Sequence, residues 1–117
     1  MGDAELNAAV AKRVFNWHRG PNGWYSFISD GAEEQLEEIY DDFVRYSNFA
    51  TDGRAMLRVI ERMRELGFCG SDHIGHGDGF EWCFYRLNAP MPEMSFADTL
   101  TRAVALAALK AVEAVDR

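Results

Sequence analysis

Lysine is nearly absent from this 117-residue chain. Lys12 and Lys110 stand against ten arginines, and acidic residues leave a formal net charge of −7. General nucleic-acid binders need clustered cations to neutralise phosphates, so no nucleic-acid partner is expected. Cysteine is also scarce. Cys69 and Cys83 fall on opposite arms of an expected hairpin. A cytosolic setting favours two thiols, and the hairpin geometry would permit a cross-strand bridge in an oxidising one. No run of about 18 apolar residues occurs, so no membrane partner is expected. The first thirteen residues lack the basic start and apolar core of a signal peptide, and a cytoplasmic location is expected.

What is present is an ordinary globular composition, 48% hydrophobic and 26% charged. The length suits one domain with one core, residues 1–117. Leu6, Val10, Val14 and Trp17 recur at helical spacing and predict a first helix over 3–17, with Asp3 as its cap. Gly20-Pro21-Asn22-Gly23 ends it. Residues 24–29 are aromatic and branched and predict a strand. Asp30 with Glu33 resembles a capping box, and Leu36, Ile39, Tyr40 and Phe43 predict a helix over 31–44. Residues 43–46 fit a short edge strand as well.

Asp52 opens the next helix, whose buried face is Met56, Val59, Ile60, Met63 and Leu66, and Gly67 stops it. Arg54, Arg58, Glu61, Arg62 and Glu65 read mostly as its other, solvent side, with helix-spaced charges of small value. Residues 68–74 and 80–87 then form a hairpin around Gly75-His76-Gly77-Asp78-Gly79. Both faces of its second arm carry apolar groups, which predicts cover on both sides. Ser95 is expected to cap an alanine-rich last helix, with Asp98 three positions on. The result is an α+β fold of order α-β-α-α-β-β-α, with an antiparallel sheet of three to four strands packed between helices.

Catalytic signatures are weak. Cys69, His73, His76 and Cys83 have the spacing C-x3-H-x2-H-x6-C, which matches no common zinc module, so no metal is assigned. His18, His73 and His76 are the neutral-pH bases, yet no strained nucleophile elbow accompanies them. The glycine-rich segment leads into a strand, whereas a phosphate cradle leads into a helix. The acidic pairs at 33–34, 37–38 and 41–42 lack the alternating ligands of a calcium loop. No catalytic residue and no cofactor are assigned. A small hydrolase using His73 or His76 is the weakest of the readings.

Aromatics and arginines are the remaining signal. Trp17, Trp24, Phe80, Trp82 and Phe84 concentrate near the hairpin and the end of the first helix. Core and subunit contact is the commoner use of such a set. Rings with arginines nearby also suit stacking on a base and pairing with phosphate. The candidate ligand set is Trp82 and Phe84 for stacking, Arg54, Arg86 and Arg102 for phosphate, and Asn88 for a ribose or base edge.

Four segments together resemble the phage ABA-sandwich family. They are Asp52-Gly53-Arg54-Ala55-Met56-Leu57, the helix end Arg64-Glu65-Leu66-Gly67-Phe68, the strand around Trp82, and Ser95-Phe96-Ala97-Asp98-Thr99-Leu100 running into the alanine-rich helix. Val10-Ala11-Lys12-Arg13-Val14-Phe15-Asn16-Trp17 followed by an aromatic strand fits as well. The resemblance implies a small phage or prophage protein with an antiparallel sheet between helices. It also implies kinship with non-catalytic anti-defence sponges, which hold cyclic ADP-ribose variants or cyclic oligonucleotides without cleaving them. The expected partner is then a small anionic nucleotide, bound by a homo-oligomer in the cytoplasm of an infected bacterium. The alternative is a phage protein-interaction module.

Overall fold

The computed structural model describes residues 2–20, 23–27, 33–35, 48–73, 79–90, 92 and 94–115. The fold is α+β. Its described elements are α1 (Asp3–Arg13), β1 (His18–Gly20), β2 (Gly23–Phe27), β3 (Glu33–Gln35), α2 (Gly53–Glu65), β4 (Cys69–His73), β5 (Phe80–Tyr85), β6 (Ser95–Ala97) and α3 (Leu100–Val115). The strands form two antiparallel three-stranded sheets, β1-β2-β3 and β4-β5-β6, each in sequence order. Among the described residues the elements thus run helix, three strands, helix, three strands, helix.

The helices lie side by side and point the same way. Arg102 near the start of α3 meets Asp3 at the start of α1, 2.6 Å apart. Arg13 at the end of α1 pairs with Glu113 near the end of α3. The Thr101 hydroxyl donates to the Ala50 carbonyl at 2.8 Å, just before α2 begins. At the far end Arg62 of α2 reaches Val14. Three positive dipole ends therefore share one side of the molecule. Asp3 and Glu5 in the first turn of α1 and the Asp52 cap of α2 offset them.

Local chemistry sets the helix ends. The Asp52 carboxylate accepts from the N–H groups of Arg54 (2.8 Å) and Ala55 (3.3 Å), which satisfies two orphan donors of α2. Gly67, at φ +91°, ends that helix. The Gly67 N–H donates to Arg64 O and the Phe68 N–H to Met63 O, the paired bonds of a Schellman stop. α3 is flanked by both other helices and by β5 and β6. Ala103, Val104, Ala105, Ala107, Ala108, Leu109, Ala111 and Val112 are all buried, and small side chains let the neighbours approach closely. Leu6, Val10 and Val14 of α1, Val59 and Met63 of α2, Phe49 and Phe84 complete the core.

Several elements differ from the sequence reading. α1 stops at Arg13 and is preceded by Gly2, which makes no side-chain cap; Asp3 lies inside the first turn. Trp17 follows a left-handed Asn16 at φ +58° instead of continuing the helix. The Gly20-to-Gly23 segment joins two paired strands, with Gly20 opposite Gly23. Glu33–Gln35 is strand β3, paired with Phe27, Ser26 and Tyr25, so the capping box at Glu33 does not form. The remainder of the expected 31–44 helix lies outside the described residues. So do 43–46 and the glycine-rich tip up to residue 78.

Ser95 caps nothing. It lies in β6 opposite Trp82 and is buried. Thr99 takes over the cap, accepting from the Arg102 N–H at 3.3 Å. The serine signal was sound chemistry four residues early, because a three-residue strand fits between the proline loop and α3.

In the hairpin, Cys69 stands opposite Tyr85 and Cys83 opposite Ser71. The cysteines are diagonal neighbours, about 7–8 Å apart at Cα by strand geometry. That exceeds the usual disulfide span, and both thiols are free. The cross-strand bridge therefore has no place in this register. Cover on both faces of β5 is present at its centre. Phe84 is 2% exposed toward α3, and Cys83, which alternation turns the other way, is 1% exposed.

Candidate ligand groove

The six candidate ligand residues occupy three places. Trp82 and Phe84 touch edge-on, with centroids 6.0 Å apart and planes at 62°. Phe84 belongs to the core, and Trp82 packs against it half-buried. The indole lies over Gly70, and its Nε1 is buried without an acceptor among the described residues. Neither ring offers an open face comparable to a surface stacking platform.

Arg86 follows β5 and reaches the end of α2. Its guanidinium covers the Phe68 ring at 4.4 Å and donates to the Leu66 carbonyl at 3.0 Å. Arg54 is exposed at the start of α2. Thirteen residues of helix separate the two ends, about 18 Å at 1.5 Å per residue. Arg102 sits at Arg54's end, paired with Asp3. Asn88 is exposed in the turn after β5 at φ +66°. Within one chain, Arg86 is thus parted from Arg54 and Arg102 by the length of a helix.

Arginines do converge, but around the C-terminal ends of the helices. One cleft of about 390 Å³ is bounded by Phe15, Asn16 and Trp17 after α1 and by Arg58, Glu61, Arg62 and Glu65 of α2. A second, of about 350 Å³, adjoins it and is bounded by Arg13, Arg62 and Arg86 over Phe68, Val112 and Val115. Asn16 and Arg62 border both, so the two are neighbouring clefts with a shared wall, together the groove.

Its aromatic wall is a stack of rings. Phe15 stacks on Trp17 at 4.6 Å and on Phe49 at 5.2 Å. The Arg58 guanidinium lies over the Trp17 ring at 5.8 Å, a distance at which cation and ring attract. The chain reverses here because the Phe15 N–H donates to Val10 O and the Trp17 N–H to Ala11 O, on either side of left-handed Asn16. Asparagine tolerates that backbone better than most residues.

The guanidiniums are held in turn. Arg62 donates its Nε–H to Val14 O at 3.1 Å and pairs with Glu65 at 3.2 Å. Arg13 pairs with Glu113. Arg13 and Arg62 also stand at the negative ends of helix dipoles, which favours a cation there. Arg58 and Arg62 were read from sequence as the solvent side of their helix, and Arg13 was given no role. Nothing in the spacing of one helix tells that the end of another passes beside it.

Other candidates gain no such geometry. Among the described residues, no three His, Cys, Asp or Glu side chains gather where a metal ion could be held. The side chains of His73 and His76 lie outside the described residues. Cys69 is exposed and Cys83 buried, and burial pushes the Cys83 thiol above its ordinary pKa. A buried protonated thiol is a poor nucleophile. Among the described residues, no helix is long and apolar enough to cross a membrane. No family model matches the chain, and neither a curated protein nor a solved structure shows significant similarity to it.

Proposed function

We propose that this chain is a non-catalytic binding protein that sequesters a nucleotide-derived immune signal. A cyclic ADP-ribose variant or a cyclic oligonucleotide is the ligand class, and a phage or prophage acting in the host cytoplasm is the setting. The observation that carries this reading is the convergence of Arg13, Arg58, Arg62 and Arg86 on two neighbouring clefts, the first of them walled by Phe15 and Trp17. Guanidinium forks match phosphate geometry. The phage ABA-sandwich resemblance supports the setting, and the burial of Cys83 on the face turned from α3 supports a sheet covered on both sides. The net charge of −7 fits a small anion captured at one local site better than a polyanion bound over a surface.

Thermal-shift and calorimetric titration with cyclic ADP-ribose isomers and cyclic dinucleotides tests the proposal. Ligand at a hundredfold over its Kd stabilises the native state by about 2.7 kcal/mol. For a chain of this size that raises Tm by about 10 °C. The ligand returns intact by mass analysis after heat release, and native mass reports the oligomer that carries it. No shift with any member at millimolar concentration overturns the reading.

A second reading, a protein-interaction module, draws on exposed apolar groups near the β5-β6 edge. Phe80 is 47% and Phe96 59% exposed. Phe80→Ser with Phe96→Ser separates the two readings. It abolishes capture of a partner protein if that edge is the working surface, and leaves nucleotide binding in the groove intact.

A further inference from the structure

We infer that the groove is divided by chemistry, with ribose hydroxyls bound in the Trp17 cleft and phosphates in the Arg86 cleft. This rests on the nucleotide reading above and assigns the orientation of the ligand within it. The two clefts have different polar walls. Glu61 and Glu65, one turn apart on α2, both border the Trp17 cleft. Neither borders the other, where Arg13, Arg62 and Arg86 stand over the apolar side chains of Phe68, Val112 and Val115.

In the Trp17 cleft the two carboxylates offset Arg58 and Arg62, so a phosphate gains little, whereas a carboxylate accepts hydrogen bonds from two hydroxyls well. The acidic residue that reads a ribose diol in dinucleotide-binding folds works on the same chemistry. Phosphate oxygens accept only, and in the Arg86 cleft the charged side chains at the wall are the donors Arg13, Arg62 and Arg86, with Glu113 the exposed partner of Arg13 and the Val14 and Leu66 carbonyls already engaged by Arg62 and Arg86. An arriving phosphate replaces Glu113 on Arg13 and meets the remaining N–H groups of Arg86, which gives one of its five to Leu66 O.

Asn16 and Arg62 stand where the two halves meet. Arg62 is fixed to Val14 O through Nε, so its outer nitrogens hold a constant position at the junction. The ligand is therefore a ribonucleotide with at least one unmodified 2′,3′-diol and a 5′-phosphate, which of the two classes above admits a cyclic ADP-ribose variant and excludes a cyclic oligonucleotide, whose ring phosphates esterify the 2′- or 3′-oxygens. A deoxyribonucleotide of the same charge is rejected.

Three probes and two variants test this by calorimetry at low salt: ADP, 2′,3′-dideoxy-ADP and inorganic pyrophosphate, against the unaltered chain, Glu61→Gln/Glu65→Gln and Arg13→Gln/Arg86→Gln. ADP is expected to bind about tenfold or more tightly than its dideoxy analogue, the worth of one charge-assisted hydrogen bond. In the glutamine-for-glutamate pair that preference falls below about threefold, while pyrophosphate binding holds or rises. In the arginine pair pyrophosphate binding falls at least about tenfold, and circular dichroism with thermal melting confirms that both variants are folded. Equal affinity for ADP and dideoxy-ADP, or a preference that survives Glu61→Gln/Glu65→Gln, overturns the assigned orientation and leaves the nucleotide reading standing. Binding of a cyclic nucleotide without binding of ADP also overturns it. Failure of every nucleotide and of pyrophosphate overturns both.

Discussion

Arg62 donates its Nε–H to the main-chain oxygen of Val14, 3.1 Å away, and so ties the last turn of α2 to the end of α1. The bond brings a cation to the negative end of the α1 dipole and satisfies a carbonyl that the helix leaves over. Lysine keeps the charge but lacks the fixed fork that holds Nε on Val14 while the outer nitrogens face Glu65. Arg62→Lys is expected to lower stability by about 1 kcal/mol, because the contact is half-exposed. Chemical denaturation measures it. Nucleotide affinity falls more than stability does, since the shared wall of both clefts loses its position.

The Asp52 cap gives a second prediction. Its carboxylate holds two N–H groups at the start of α2. Asp52→Ala costs about 1 kcal/mol by denaturant titration, and Asp52→Ser restores most of it. The groove lies at the other end of α2, so ligand affinity stays within about twofold in both variants. A large loss of affinity in Asp52→Ser would place the binding site at the wrong end of the helix.

These two contacts also mark the limit of what the residues disclose. Asp52 and Gly67 were legible because a cap and a Schellman stop are local: each is set by residues within one turn. The paired arms of β4 and β5 were legible for the same reason. β6 was not, because Ser95-Phe96-Ala97 is too short to show a period and becomes a strand only by pairing with Phe80, Glu81 and Trp82. Glu33–Gln35 has the composition of a helix start and is extended because Tyr25, Ser26 and Phe27 stand opposite it. The groove was least legible. Arg58 and Arg62 look like any outward pair on an amphipathic helix, and only the packing of α1 and α2 against the same α3 brings Trp17 beside them.

Gly70 carries a third prediction. A Cβ there would sit 2.7 Å from Cζ2 of Trp82 and 3.3 Å from Phe84. Phe84 is locked in the core, so the indole must move. Gly70→Ala is expected to destabilise by about 1–3 kcal/mol, the usual range for overpacking, and to shift Trp82 fluorescence. Gly70→Ala combined with Trp82→Phe recovers part of the loss in a double-mutant cycle, because the smaller ring vacates the site.

Cys83 predicts both reactivity and pH dependence. Its thiol is buried, and burial raises its pKa above the ordinary 9.0. Folding therefore favours the protonated form. This contribution is complete below the unfolded thiol's pKa and is lost as pH rises above it toward the raised folded value. Stability is expected to decline above about pH 9 in the unaltered chain and to decline less in Cys83→Ala, by urea titration at each pH. Under native conditions a thiol reagent labels exposed Cys69 promptly. Cys83 reacts only on unfolding, and equal labelling rates would contradict its burial.

Asn16 separates the fold from the ligand. Its φ of +58° lies in the left-handed region, and its side chain borders both clefts. Glycine adopts that backbone freely, whereas a β-branched residue there is strained by about 1–2 kcal/mol. Asn16→Val is expected to lose stability in that range, because Phe15 and Trp17 reach Phe49 only if the chain turns at this point. Asn16→Gly keeps the turn and removes the amide. Its melting temperature is expected to stay within about 2 °C, while nucleotide affinity falls about tenfold, the worth of one hydrogen bond. If Asn16→Gly binds as well as the unaltered chain, Asn16 serves only to turn the chain, and the junction between the clefts is read by Arg62 alone.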